Sequence, residues 1–496
     1  MIGQRDVQAP AWGNLKRDLT IADLKTNAVN GSSKKAPFQT LKESGGVVMD
    51  TAPSSSLADQ QTAPPPHVPT MQTVLMLYQP RTRYALTPKH EIPTLHSDDE
   101  VLIKVKAIGL NPIDWKGPDF GFGIPTLPYI NGRDFVGTIV HAHPSSPLHP
   151  RSIAASASSI PSSSASASSA SSSSPDTDGH QAPLYLAIST DYRDPRKSAF
   201  QQYAVAHPHT ICRLPRTLPA ASGASLGVAF VAAALTLGIC FGIDFSSPSS
   251  PSTATPSNVP IGPNYRALLR SVPASRIPSD CLAEAHGGNI AEDKRARAGD
   301  WLVLWGGSST TARCAARLAR GVAGLRVVAV GDVAKHGRRW AGDGDGDGNG
   351  DVDLWVDSHD PERAAEVVRA VVGGGGAGGR RVFGVDFVGR ETAGRLARAL
   401  DGAGGEVQKA HLVGLASNPK DVGEGVRVHS VPIKLFHEVP EVGRATMAWL
   451  ERLLEEGLLT PPEVVVEKGG LAGVNGALDR MRRGEISGRR LAVELD

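Results

Sequence analysis

The stretch AGDWLVLWGGSSTTARCAARLA, Ala298 to Ala319, decides how this chain is read. Trp301 to Trp305 is a short apolar run entered through Gly299 and Asp300 and left through Gly306 and Gly307, and the first turns of a helix follow. A strand that passes through glycines into a helix presents unsatisfied N–H groups and the positive end of the helix dipole to an anion. Gly306 and Gly307 let a pyrophosphate approach the backbone. Ser308, Ser309, Thr310 and Thr311 add hydroxyls while staying small enough for helix–sheet packing. The turn has two glycines where the dinucleotide fingerprint has three. By itself it fits a cofactor loop and a buried strand ending in small residues equally well.

Downstream, strand and helix patterns alternate. LRVVAVG (Leu325 to Gly331), DLWVD (Asp353 to Asp357), RVFGVDFVG (Arg381 to Gly389) and HLVGL (His411 to Leu415) are short apolar runs. DPERAAEVVRAVV and ETAGRLARALD separate them as helices. Continuous apolar strands with intervening helices predict an α/β fold, a doubly wound parallel sheet covered on both faces. Upstream, MQTVLMLYQP, DEVLIKVKAIGLNP, DFVGTIVHAHP, APLYLAIS and AFQQYAVAHPHTICRLP read as strands of a β-rich domain. After the parallel sheet, ATMAWLERLLEEGLLTPPEVVVEKG and its continuation predict a helix, a strand and a last helix–strand unit.

Composition narrows the function. In 496 residues, 52 Lys+Arg against 50 Asp+Glu leave a formal charge of +2. No basic stripe with interleaved aromatics is present, so a nucleic-acid partner is not expected. Cys212, Cys240, Cys281 and Cys314 stand far apart without a C-x-x-C spacing, which fits a reduced compartment better than a metal cluster. The first residues lack an apolar run behind a basic start, and a cytoplasmic protein is the expectation. Ala224 to Ile243 carries no charge and is long enough to span a bilayer. Its alanines and glycines, without flanking Lys/Arg clusters, predict a buried helix and no membrane partner.

Residues 1–70 are polar and rich in Ser, Ala, Pro and Lys and read as a disordered tail. A Ser/Ala tract within 144–181 reads as a low-complexity insertion, 246–295 as a long polar surface loop, and 341–351 as an acidic glycine insert. That insert places Asp345, Asp347 and Asn349 at calcium-loop offsets, but its twelfth position is Val356, so no metal site is assigned.

Five motifs occur in one order: GLNPIDWKG (Gly109 to Gly117), LPYINGRDFVGTIV (Leu127 to Val140), AFQQY (Ala199 to Tyr203), the strand–GGSS turn, and RRGEISGRRLAVEL (Arg482 to Leu495). Together they resemble the medium-chain dehydrogenase/reductase superfamily, in its zinc-independent quinone-oxidoreductase and enoyl-reductase branch. They look most similar to fungal trans-acting enoyl reductases and ToxD-like proteins. The resemblance implies a GroES-like substrate domain (71–223, completed by 436–496) and a Rossmann cofactor domain (224–435) between its parts. It implies NADPH, with NADH the less favoured cofactor. Lys335, Arg338 and Arg339 stand where cations can meet a 2′-phosphate, Asp332 argues for a ribose diol instead, and Leu415 follows the strand that closes the cofactor site.

Zinc-dependent relatives carry Cys and His ligands near the positions held here by NPID and NGRD, which contain neither, so no zinc is expected. The implied chemistry is hydride addition to an activated C=C bond, with charge developing on a thioester oxygen. Asn111, Asp114 and Lys116 are the polar groups that the resemblance brings toward the nicotinamide, Lys116 as electrostatic stabiliser or proton donor. Asn111 and Asp114 fit equally a turn around Pro112, and Lys116 a solvated position. The substrate implied is a carrier-bound or small acyl group supplied by a polyketide synthase. The alternatives are a quinone or enone reductase and a non-catalytic NADPH-binding partner protein.

Overall fold

The computed structural model describes residues 68–150, 152, 182–247, 261–287, 290–340, 350–373, 380–403 and 409–496, with the side chains of 338–340 outside that set. The proposed tail up to residue 67, most of the serine-rich insertion and 341–349 of the acidic insert therefore lie outside the described residues. The strands before residue 220 are β1 (Met71–Leu77), β2 (Ala85–Glu91), β3 (Val101–Gly109), β4 (Tyr129–Ile130), β5 (Asp134–Ala142), β6 (Tyr185–Ile188), β7 (Tyr203–Ala206) and β8 (Ile211–Arg213). Those after residue 300 are β9 (Trp301–Trp305), β10 (Arg326–Gly331), β11 (Leu354–Asp357), β12 (Val382–Asp386), β13 (Ala410–Gly414), β14 (Val426–His429), β15 (Val464–Glu467) and β16 (Arg490–Glu494).

The opening stretch forms the centre of a six-stranded parallel sheet ordered β11-β10-β9-β12-β13-β14. All five residues of β9 are buried. Leu302 and Leu304 face the core that holds Ala312, Ala315 and Ala319 of the Thr310–Gly321 helix. Trp301, Val303 and Trp305 face the opposite core, with Val368 and Leu396 of the Pro361–Gly373 and Arg390–Leu400 helices. Period-two alternation between two apolar layers explains why the run is continuous in sequence. Strand order reverses at β9, whose neighbours are β10 and β12, and such a crevice at the carboxyl ends is where open α/β sheets bind ligands.

A second sheet, β15-β16-β3-β5-β6-β8 with β7 also on β3, joins the two ends of the chain. The C-terminal β16 runs antiparallel to β3, pairing Val493 with Ile108 and Ala492 with Gly109. A small sheet, β2-β1-β4, completes this part. β2 escapes a sequence reading because ALTPKHE has no buried residue and includes Pro88, which an edge strand tolerates.

Ala220–Cys240 is long and apolar enough to cross a membrane, yet 94% of its most apolar window is buried inside the protein. Phe230 packs on Trp449 at 5.8 Å, and Phe245, just beyond, at 4.7 Å. The segment ends in a π-type turn, Phe241 N–H donating to the Thr236 carbonyl at 3.0 Å. The reading of 246–295 as a surface loop needs correction over its described part. Helices Tyr265–Arg270 and Leu282–Ala285 lie there, and Tyr265, Leu269, Val272, Ile277 and Ile290 are core residues. Their apolar positions are too widely spaced among polar ones to announce an element.

Between β7 and β8, His207 and His209 stack at 5.1 Å, and His209 Nε2 donates to the His437 carbonyl at 3.2 Å. Burial, followed by the field of His207, pushes the His209 pKa down from 6.5 to about 4. The folded chain thus resists protonating His209. Its contribution is whole above pH 6.5, erodes as pH falls toward 4 and is absent below that. His209→Gln can retain the bond to the His437 carbonyl but does not titrate. Its stability relative to wild type, followed by urea unfolding, is expected to rise by roughly 2–3 kcal/mol between pH 7 and pH 4. Parallel pH profiles for the two proteins would refute this.

Candidate functional site

The turn after β9 has the local geometry of a phosphate cradle. Gly306 takes φ +87°, and a Cβ there would lie 2.8 Å from Val388 Cγ2; a Cβ on Gly307 would lie 2.8 Å from Ala329 Cβ. Both glycine N–H groups donate to the Val330 carbonyl at 2.9 Å, so they fasten the turn to β10 and are not spare donors. Ser309 caps the helix, its Oγ accepting from Ala312 N–H at 3.2 Å. Among the described residues, the N–H groups of Ser308, Thr310 and Thr311 have no acceptor, and they stand at the N-terminus of a twelve-residue helix. Free amides, a glycine cradle and a helix dipole together fit a dinucleotide's pyrophosphate. Of the small polar positions that stand where the fingerprint has further glycine, Ser309 does the work of a cap.

At the neighbouring strand tip, Asp332 caps the Val333–Trp340 helix by accepting from Lys335 N–H at 2.9 Å. His359 Nε2 lies 3.7 Å from the other Asp332 oxygen, while His359 Nδ1 lies 2.8 Å from Asp357. The Asp357 carboxylate, then that of Asp332, raises the His359 pKa above its usual value. Lys335 is exposed; the side chain of Arg338 lies outside the described residues. Trp355 forms the floor, its ring 3.0 Å from where a Gly331 Cβ would sit. Leu415 follows β13, its N–H donating to the Asp386 carbonyl at 2.9 Å.

Asn111 and Asp114 belong to a buried hydrogen-bonded network. Asn111 precedes the Pro112–Phe120 helix, and its N–H donates to Asp114 Oδ2 at 2.7 Å. Its side chain donates to Asp134 Oδ2 at 2.9 Å and accepts from Arg490 at 2.7 Å. Asp134 Oδ1 also accepts from Val228 N–H at 2.8 Å, which ties β5 of the second sheet to the Gly227–Leu235 helix. Asp114 and Asp134 are fully buried and Asn111 is 5% exposed, so all three build the junction of the chain's parts rather than the wall of a cleft. Burial raises the Asp114 carboxyl to about 7, against the pull of the Asn111 amide and the arginines.

Lys116, two residues on, is different. It is half-buried and makes no hydrogen bond or ion pair among the described residues. Burial lowers its pKa, and Asp386 is the one charged group whose field raises it. Asp386 closes β12, in register with Trp305 of β9 and Gly414 of β13. It carries no separate sequence signal, because a strand-terminal Asp that accepts from the amides two and three residues on also serves as an ordinary turn residue. Arg490 and Asp134 were quoted only as parts of motifs; their pairing joins distant positions and leaves no local periodic signal.

The donor set bears on metals. All four cysteines are buried free thiols, and burial holds Cys281 and Cys314 up at about 12, far from the thiolate a metal needs. Among the described residues the one cluster of three metal-type ligands is Asp332, Asp357 and His359, at the strand tips described above.

Comparison with known proteins agrees with this architecture. The alcohol dehydrogenase GroES-like domain family matches residues 97–216. A trans-enoyl reductase of Gibberella fujikuroi is 23% identical over 420 residues, 80% of this chain and 91% of that protein. The trans-enoyl reductase caaB of Aspergillus niger is 24% identical, over 86% of this chain and 98% of its own length. In fold, the quinone oxidoreductase of Coxiella burnetii superposes with a TM-score of 0.52 at 15% identity, covering 86% of this chain and all of that one. The parallel sheet in Rossmann order and the GroES-like part closed by the C-terminal strand are the architecture of medium-chain dehydrogenase/reductase oxidoreductases, and the relatives similar to this chain over most of its length are trans-enoyl reductases.

Proposed function

We propose that this chain is an NADPH-dependent reductase of enoyl thioesters that works without zinc on acyl chains supplied by a polyketide-type synthase. The observation that carries the reading is Lys116. It is an ammonium partly withdrawn from water, without a hydrogen bond or ion pair among the described residues, on the Pro112–Phe120 helix and within the field of Asp386 at the carboxyl edge of β12. A bound reduced nicotinamide supplies hydride to the β-carbon of the substrate. Lys116 then faces the negative charge that gathers on the thioester oxygen before a proton is taken up at the α-carbon. Cations placed for that charge are worth most where water is excluded. The buried, protonated thiols and the absence of Cys and His from NPID and NGRD favour stabilisation by a side chain over a zinc ion.

For the phosphorylated cofactor, support comes from the ribose end. The Asp332 carboxylate that would oppose a 2′-phosphate is engaged as a helix cap and approached by His359, while Lys335 is exposed beside it. The test is consumption of NADPH at 340 nm with a short enoyl thioester, run beside NADH and a quinone. Faster turnover of the thioester with NADPH is expected. Turnover of the quinone alone would reject the substrate, and a preference for NADH would reject the cofactor.

A further inference from the structure

We infer that the cavity between the Thr310–Gly321 helix and the loop 457–462 binds a small organic monocarboxylate, its anionic end on Arg313 and Arg317 and its short apolar body against Leu226 and Leu459. The cavity measures about 190 Å³. A single ordered water needs roughly 10–15 Å³, so the space takes a molecule of several heavy atoms rather than one water or a bare ion. Gly457 and Thr460 on its wall are exposed, which opens it to solvent, while Leu226, Leu459 and Pro462 are buried and form an apolar side. Arg317 lies two turns along the helix from Thr310, about 10 Å, so its end of the cavity is separate from the glycine turn at the helix start.

Helix spacing builds the polar side. Thr310, Arg313 and Arg317 recur at i, i+3 and i+7, so they share one stripe and place two cations a turn apart on the cavity wall. Like charges so spaced repel each other. Among the described residues one carboxylate of the lining answers them: Asp351 Oδ1 accepts from Arg317 Nη1 at 3.1 Å. The Leu458 carbonyl accepts from Arg317 Nε at 2.9 Å. These two bonds hold the plane of the guanidinium and leave Nη2 as its nitrogen without a hydrogen bond among the described residues. Arg320, on the next turn, is answered by Asp353 at 2.6 Å and is not part of the lining. Two guanidinium charges against one carboxylate leave a net charge of +1, which a single carboxylate neutralises through charge-assisted hydrogen bonds. A phosphate monoester, with a charge of about −1.5 to −2, overshoots that balance and meets Asp351 as a like charge. The loop 457–462 leads from the Pro440–Glu455 helix to β15, so a carboxylate held here also fastens the cofactor-side helix to the connection between the two larger sheets.

The test is isothermal titration calorimetry of the full chain with sodium hexanoate at constant ionic strength. One site with a Kd on the order of 10⁻⁴ M is expected for a ligand of this size. Hexan-1-ol, which keeps the body without the charge, and monohexyl phosphate, which carries the heavier charge, are each expected to bind at least about tenfold more weakly. Arg317→Gln keeps a donor for the Leu458 carbonyl and removes the cation; Thr460→Trp, at the exposed rim, fills the space and leaves both arginines in place. Both are expected to weaken hexanoate about tenfold or more, with far-UV circular dichroism unchanged. Hexanoate is expected to raise the thermal midpoint of the wild type and of neither variant. Loss of binding in both variants upholds the site. Wild-type affinity in either folded variant overturns it, as does the absence of saturable hexanoate binding. Hexan-1-ol binding as tightly as hexanoate overturns the role of the arginines, and monohexyl phosphate binding as tightly overturns the carboxylate class.

Discussion

Lys116→Ala is expected to lower kcat for enoyl thioester reduction by about 10²–10³-fold at neutral pH, with KM for the cofactor within about threefold of wild type. The size follows from where the charge sits. In bulk water an ammonium contributes little to an oxyanion a few ångströms away, but Lys116 is partly withdrawn from solvent, and Asp386 is the one anion whose field reaches it. Its full effect is therefore available only when negative charge forms on the substrate. The interaction grows between ground state and transition state, which places the loss in kcat rather than in binding. Lys116→Arg, keeping the charge on a wider and more weakly hydrated group, is expected to recover part of the rate. Stopped-flow single turnovers at saturating cofactor separate the chemical step from release. A hydride-transfer rate within twofold of wild type in Lys116→Ala would remove this residue from the mechanism.

The same residue marks how far sequence carried the argument. β9, β10, β12 and β13 were legible because a sheet buried on both faces needs continuous apolar strands, and no other short element looks like that beside helices. β14 was not: VRVH sits at the sheet edge, with Arg427 exposed, and lacks the continuous run. The site divides along the same line. Gly306, Gly307 and Ser309 act on their own turn, and their roles follow from adjacency along the chain. Asn111 and Asp114 share a motif with Lys116, yet their neighbours in space are Asp134 and Arg490, from β5 and β16. The resemblance groups all three as polar residues near the nicotinamide. Packing sends two of them into the junction and leaves one open.

That junction gives the largest expected loss of stability. Arg490→Met is expected to cost roughly 3–5 kcal/mol, because it removes the cation from beside a carboxylate that has no other exit from burial. Arg490 donates to Asn111 Oδ1 at 2.7 Å and lies 3.7 Å from Asp134 Oδ2, with side-chain exposures of 11% for Arg490 and zero for Asp134. Asp134 meanwhile accepts from Asn111 and from Val228, so its position decides how the Gly227–Leu235 helix meets β5. A Cβ on Gly227 would lie 2.1 Å from the Asp134 carboxyl, so the helix cannot shift toward the carboxylate to compensate. Arg490→Met alone leaves a buried anion; Asp134→Asn alone leaves a buried cation with the Asn111 oxygen and the Asp114 carboxyl near it. The double variant removes both charges, and its loss is expected to fall short of the sum of the singles by about 1–3 kcal/mol. Urea unfolding of the four proteins closes this cycle. Strict additivity would mean that the ion pair contributes nothing as a pair, and that Asn111 and the backbone N–H of Val228 hold the junction by themselves.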